Sequence, residues 1–271
     1  MKIEAKSKLE EHILSHLTPE GGFLDLEDKN VTPEHLRLLC QAGETLQKVK
    51  QLDLSNNGLG DAEIELLSKS RCLPKLEKLF LNHNKISDSG AKILAESKLV
   101  QNISCLMLEA NQIGVNGAQS LATSLNLKNL ETLFLDSNPI GPEGAEALAR
   151  SKCLPSLTAL HMDSTGMGNQ GVKAIAASQT LSKIKKLYLC SNKIGDEGAI
   201  ALSQSPNLSH LTCLSIWRNE IRDAGGKAIA ESNHFLKLER LYMSLNLIEK
   251  PTRKLIRASD MASRLKTLVM D

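Results

Sequence analysis

Apolar positions recur along this chain on two alternating rhythms. In the first, every second residue is apolar, as in Leu79 and Leu81 or Leu187 and Leu189. Such an alternation predicts a short strand whose leucines face inward and whose intervening residues face out. In the second, Gly90, Ala91, Leu94 and Ala95, echoed by Gly144, Ala145, Leu148 and Ala149, follow the spacing of a helix with one buried stripe. A polar turn separates the two, and the complete unit returns every 27 residues: Asn57, Asn84, Asn111, Asn138, Thr165, Asn192, Asn219 and Asn246 mark the same slot. A fixed period in this range predicts a stack of identical strand–turn–helix units, each covering the apolar side of the next.

Each slot has a physical reason. A turn inside a stack leaves buried backbone groups, and a carboxamide both donates and accepts hydrogen bonds. Thr165 can do part of that work. Four residues on, Asp61, Asp88, Asp196 and Asp223, with Asn169 in the Thr165 repeat, are of the type that caps a helix N-terminus. The Gly and Ala positions are expected to be small because helix and sheet layers approach closely there.

At the ends the pattern degrades, as terminal repeats should. Residues 2–17 read as an amphipathic helix, with Leu9, Ile13, Leu14 and Leu17 on one stripe, and segment 1–20 is expected to cap the array. The array itself spans 21–271. It opens with a degenerate unit, Leu24 and Leu26 in strand positions and Lys29 in the Asn slot, 28 residues before the next. Eight regular repeats run from about 49 to 264, and a strand pattern over 265–270 ends the chain.

The line Leu76-x-x-Leu79-x-Leu81-x-x-Asn84-x-Ile86, followed by the Gly-Ala-x-x-Leu-Ala helix, resembles the ribonuclease-inhibitor-like leucine-rich repeats over about residues 20–271. That resemblance implies an α/β fold: a right-handed solenoid or horseshoe, with a concave parallel sheet and convex helices. It also implies a binding protein rather than an enzyme. Phe80, Phe134, Tyr188 and Tyr242 share one strand slot in alternate repeats, 54 apart each time, so the array reads as two-repeat units. Ribonuclease inhibitors alternate two repeat types as well, although theirs differ in length and these do not.

Composition narrows the classes. Aromatic residues make up 3% of the 271, so the core must be Leu, Ile and Ala. Of the seven aromatics only Phe235 falls outside the outward strand slots. Six cysteines show neither a CxxC pair nor metal-ligand spacing, which suits free thiols in a reducing, cytoplasmic setting. The first residues lack an apolar signal core, and no run approaches the ~20 apolar residues of a membrane span. A net charge of +2 excludes no nucleic-acid binder by itself; the expected signature there is a clustered basic face.

Strands about 4.8 Å apart put Phe80, Met107, Phe134, His161, Tyr188 and Tyr242 into one file, with Trp217 on the same face. Exposed rings gathered on one face suit an interface. Charge on that face is polarised. Asp25, Glu27, Asp28, Asp53, Glu77, Glu109, Glu131, Asp136 and Asp163 lie towards the start, against Lys50 and Lys78; Lys185, Lys186, Arg218, Arg240 and Lys266 lie towards the end, against Glu239 and Asp271. Two signs favour a protein partner over a phosphate backbone. The expected contact set is Phe80, Met107, Phe134, His161, Tyr188, Trp217 and Tyr242, oriented by Asp136, Asp163, Lys186 and Arg218.

His161, Asp163 and Cys190 on neighbouring strands invite a nucleophile reading. However, the His161 ring would sit roughly 7–8 Å from the Cys190 backbone, and an open sheet offers neither oxyanion hole nor water exclusion. Cys190 therefore reads as an ordinary contact residue, with no catalytic group, metal or cofactor expected. His12 and His16 lack partners at ligand spacing. The open readings are an inhibitor or an injected bacterial effector acting in host cytoplasm, an activator of small GTPases, and an oligomerisation or targeting module. The last could dimerise through the edge of its C-terminal strand.

Overall fold

A computed structural model describes residues 11–41 and 43–271, without the side chains of Gly43 and Glu44. Helix α1 is described over 11–15. It precedes β1 (Phe23–Asp25), α2 (Pro33–Gln41), β2 (Gln51–Asp53), α3 (Asp61–Ser68), β3 (Lys78–Phe80), α4 (Asp88–Glu96), β4 (Cys105–Met107), α5 (Val115–Ala122), β5 (Thr132–Phe134) and α6 (Gly141–Ala149). Then come β6 (Ala159–His161), α7 (Gly168–Ala177), β7 (Lys186–Tyr188), α8 (Asp196–Ser203), β8 (Cys213–Ser215), α9 (Asp223–Ala230), β9 (Arg240–Tyr242), α10 (Lys250–Arg257), α11 (Asp260–Arg264) and β10 (Thr267–Val269). The ten strands form one open sheet in chain order, every pair parallel. Successive helices pack against each other on the opposite side. A strand occupies about 4.8 Å of the stack and a helix about 10 Å, so the array bows with its strands on the inner side. Parallel strands joined by helical crossovers make the leucine-rich solenoid expected from the repeat.

The inward leucines behave as the alternation predicts: Leu52, Leu79, Leu106, Leu133, Leu160, Leu187, Leu214 and Leu241 are fully buried. They meet the helix stripe of Leu94, Leu121, Leu148 and Leu202 in a single continuous core that also takes Phe235. Of the N-terminal helix expected over 2–17, residues 2–10 lie outside the described residues. Within the described part, Ile13 is buried and Leu14 and Leu17 pack on the core. The segment after α1 closes the outer edge of β1: Asp25 N–H donates to the His16 carbonyl (3.1 Å) and Thr18 N–H to the Phe23 carbonyl (2.9 Å).

The Asn slot works as expected, and reaches across repeats. Asn84 Oδ1 accepts the N–H groups of Asn57 (3.2 Å) and Leu59 (2.9 Å), while its Nδ2 donates to the carbonyls of Leu54, Leu81 and Asn82. Thr165 keeps one of these functions, donating to the Met162 carbonyl (3.0 Å). The preceding turn adapts: Ile140 N–H pairs with the Asn138 carbonyl (2.8 Å), and Gly141 takes a φ of +67°, open to glycine at no cost.

One expectation changes. The aspartates at Asp61, Asp88, Asp196 and Asp223 do not cap their own helices, because each is the first helical residue. They serve the next repeat's helix. Asp88 Oδ1 accepts the N–H groups of Gly114 (2.6 Å) and Gly117 (2.9 Å), which are the cap and third residues of α5. Asn169 and Asp196 repeat this arrangement three and four repeats further along. The small helical residues follow from that carboxylate as much as from layer packing. A Cβ on Gly117 would meet Asp88 Oδ1 and Ile113 Cγ2, both at 2.7 Å. A column of serines is a further device that the sequence reading passed over. Ser124, Ser151, Ser178 and Ser205 each donate, at 2.5 Å, to the carbonyl 29 residues earlier. These carbonyls lie at the C-terminal end of the preceding repeat's helix, where free acceptors are left over.

Candidate functional site

The outward positions of the strands form three columns on the inner face of the sheet. The middle column runs Asp53, Phe80, Met107, Phe134, His161, Tyr188, Ser215, Tyr242, each in direct register with the next. Five ring or thioether side chains, Phe80 to Tyr188, therefore follow one another without interruption. His161 lies between two neighbours, its ring centroid 3.8 Å from Phe134 and 4.1 Å from Tyr188, at 26° and 13° to them. All five are half-buried. Burial foremost, then the charge of Lys186, lowers the His161 pKa to about 4, so the imidazole is neutral within the stack. Burial likewise pushes the Tyr188 hydroxyl up to about 12, and its Oη lies 3.6 Å from Cys213 Sγ.

Tyr242 belongs to the same column but is set apart from Tyr188 by Ser215, which is covered despite pointing outward. Trp217 is not in the ring column. It occupies the column nearer the turns and is 38% exposed, the largest exposed ring of the face.

The turn-side column does two jobs. Backbone N–H groups just past the short strands need acceptors, and the side chain one repeat earlier supplies them. Ser55 Oγ accepts from Asn82 N–H (3.2 Å), Asn82 Oδ1 from Glu109 N–H (3.0 Å), Asp136 Oδ1 from Asp163 N–H (2.6 Å) and Asp163 Oδ1 from Cys190 N–H (2.6 Å). Asp136 and Asp163, read from sequence as orienting charges, are thus also part of the frame. The available signal was the recurrence of short acceptor side chains in one slot. Burial raises the Asp136 carboxyl to about 7, with the neighbouring Asp163 and Glu109 charges pushing the same way against the N–H bond. Burial raises Asp163 as well.

Cys190 is buried rather than a contact residue, its Sγ 3.0 Å from Ser215 Oγ. The thiol is pushed up to about 11, chiefly by burial, and so stays protonated at neutral pH. Cys190 Sγ is directed to Ser215 and not to His161, and an imidazole lowered to about 4 is too weak a base for a thiol raised to about 11, so the two do not make a nucleophile–base pair.

The charge pattern is sharper than the sequence suggested, because part of it cancels internally. Lys50 pairs with Glu77 (2.8 Å) and Lys266 with Glu239 (2.9 Å). Among the described residues, Glu109, Asp136, Asp163, Lys186, Arg218 and Arg240 form no ion pair. At the start of the array the ligand oxygens of Asp25, Glu27 and Asp53 lie within 4.8 Å of one another. Asp25 Oδ1 and Asp53 Oδ1 accept the N–H groups of Glu27 (3.1 Å) and Ser55 (2.8 Å), which accounts for both as turn formers. No helix among the described residues is long and apolar enough to cross a membrane.

No curated relative matches the chain significantly. The stretch 96–125 holds β4 and α5, built like every other repeat. A family profile described as Leucine Rich repeat matches on both sides of it, at residues 45–67, 72–95, 126–149, 153–176, 180–203 and 207–230. These segments make up more than half of the chain, which therefore belongs to the leucine-rich repeat family, whose repeats point to a protein–protein interaction scaffold.

Proposed function

We propose that the chain is a non-enzymatic recognition scaffold of the ribonuclease-inhibitor-like kind, holding a partner protein against the inner face of its sheet. The observation that carries this reading is the unbroken column Phe80, Met107, Phe134, His161, Tyr188. The fold itself gains nothing from half-exposed rings on the outer side of strands whose core is already filled by leucine. Stacking at 3.8 and 4.1 Å holds Phe134, His161 and Tyr188 in place before a partner arrives, so docking on these three costs little side-chain entropy. Trp217 and Tyr242 extend the contact, and Lys186, Arg218, Asp136 and Asp163 orient it. The helix in each repeat and the two-repeat beat of Phe80, Phe134, Tyr188 and Tyr242 support the subtype. An inhibitor or an injected effector, acting by occupying its partner, fits such a rigid face.

The test is affinity capture from a cell lysate with the chain and with the triple variant Phe134→Ala/Tyr188→Ala/Trp217→Ala. The reading expects one or more partners retained by the natural chain and lost by the variant, with circular dichroism unchanged. Equal retention would remove the inner face from consideration.

A further inference from the structure

We propose that the inner face takes one dipolar segment of its partner in a fixed orientation across the strands. Cationic side chains would lie over Glu109, Asp136 and Asp163, anionic ones over Lys186, Arg218 and Arg240, with an apolar stretch on the rings between. This rests on the partner-protein reading and adds to it the chemistry and direction of the ligand.

With Lys50–Glu77 and Lys266–Glu239 neutralised, the unpaired charges along the repeats of β4 to β9 sort by position. Glu131 joins the acidic group and Lys185 the basic one, while Lys78 lies one strand before them on β3. The carboxylates belong to the repeats of β4, β5 and β6, and the cations to those of β7, β8 and β9. The array places no sign reversal inside either group. Such an arrangement repels a uniformly charged ligand at one end or the other, a phosphate backbone included.

The carboxylates are also prepared for a cation. Asp136 and Asp163 each give one oxygen to a neighbouring N–H at 2.6 Å, which fixes their geometry without supplying positive charge. Nor does the adjacent column supply any, since His161 is neutral. The Asp136 carboxyl, raised to about 7, shows how poorly that charge is compensated in the free chain. Among the described residues the set of acids gathered tightly enough for a single ion is Asp25, Glu27 and Asp53. Glu109, Asp136 and Asp163 are instead spread in a row at the strand spacing. A row suits guanidinium forks, which bridge neighbouring carboxylates, better than a point ion.

Spacing makes the proposal quantitative. From the middle of the acidic group, on β5, to the middle of the basic group, on β8, is three strand steps, roughly 14 Å. An extended segment covers that in about four residues at ~3.3 Å each, and a helix in about nine at ~1.5 Å each.

The test selects displayed random peptides of about 12 residues, long enough to span both groups at ~3.3 Å per residue, on the immobilised full chain. Selection is at about pH 8, where Asp136 is ionised. Selected peptides are then titrated against the natural chain, Asp136→Asn/Asp163→Asn and Lys186→Gln/Arg218→Gln. Asn can still accept the N–H bonds, so these variants keep the frame, which circular dichroism checks. The expectation is peptides with a basic and an acidic block, weakened about tenfold or more by either double variant. Neutralising the basic block should abolish sensitivity to the acid variant while leaving sensitivity to the Lys186/Arg218 variant. Peptides of one sign, an empty selection, or binding indifferent to both charge variants would overturn the orientation. If such indifferent peptides are still lost with Phe134→Ala/Tyr188→Ala/Trp217→Ala, the partner-protein reading stands without it; if they ignore that variant too, both fall.

Discussion

The turn and helix side of each repeat and the outward side of its strand obey opposite rules. On the first side, columns hold their residue type along the array: Asn84, Asn111, Asn138, Asn192 and Asn219 in the turns, Ser124, Ser151, Ser178 and Ser205 behind the helices. Each such side chain satisfies main-chain groups of a neighbouring repeat. On the second side the middle column changes from Asp53 to Phe80, His161 and Ser215 without disturbing the leucines beneath. Uniform columns are constrained by burial, whereas varied columns are free to be shaped for a ligand. Asp136 and Asp163 cross this division, since they vary in type yet serve the backbone.

The comparison breaks most severely at Asn192. It is fully buried, accepts the N–H groups of Thr165 (3.0 Å) and Met167 (3.4 Å), and donates to the carbonyls of Met162 (2.7 Å) and Cys190 (3.1 Å). Asn192→Ala strands several of these at about 1–3 kcal/mol each, for a loss of roughly 3–5 kcal/mol. Urea denaturation should show that loss, while Phe134→Ala on the open face should cost far less. Similar losses at both positions would mean that the ring column is structural.

Gly117 tests the helix side. A methyl there displaces the Asp88 carboxylate that caps α5 and presses on Ile113. Gly117→Ala should cost roughly 2–3 kcal/mol despite the better helix propensity of alanine. Asp88→Ala should make part of that cost disappear in the double variant, because the two act on one contact.

What could be read from the sequence divides along the same line. The strand leucines, the Asn slot and the small helical residues announce themselves because they recur with the period, and the register of Phe80 through Tyr188 follows by counting. The direction in which a side chain serves the stack does not follow. Asp88 reads equally well as a cap for its own helix or the next, and only the stacking geometry decides. Burial on the outward face was hidden too. Cys190 and Ser215 are small residues in outward slots that are nevertheless buried against each other, and a column of letters carries no information on that depth. Nor did spacing show that Lys50–Glu77 and Lys266–Glu239 cancel, since those pairs form across repeats.

Asp136 gives a pH test of a residue on the boundary. Its carboxyl is raised to about 7, so the folded chain keeps a proton that the unfolded chain releases near its ordinary value of 3.8. Between those limits the folded state binds more protons, and stability falls as pH rises through the window. Asp136→Asn removes the titration while retaining an oxygen for Asp163 N–H. The variant should match the natural chain near pH 4 and exceed it by up to about 4 kcal/mol near pH 8, the linkage value of a shift from 3.8 to about 7. Lower stability of the variant at pH 8 would show that the charged hydrogen bond outweighs burial.

The smallest effect comes from the residue just before each Asn slot. Asn56, His83, Ala110, Ser137, Ser164, Ser191, Arg218 and Leu245 all adopt a left-handed backbone, with φ between 52 and 58°. Upstream members are polar or small, as this conformation prefers, but Leu245 is a bulky residue left 52% exposed. Its backbone is held by Asp271, whose Oδ2 accepts the Leu245 N–H at 2.6 Å, and its side chain has no core to fill. Leu245→Asn should therefore raise stability by roughly 0.5–1 kcal/mol, and Ser137→Leu, the mirror substitution, should lower it by a similar amount. Thermal melts of the two variants read this directly. If the gain at Leu245 fails to appear while the loss at Ser137 does, then Leu245 is packing against something the strain alone does not describe, and the uniform column has been bent towards the varied one.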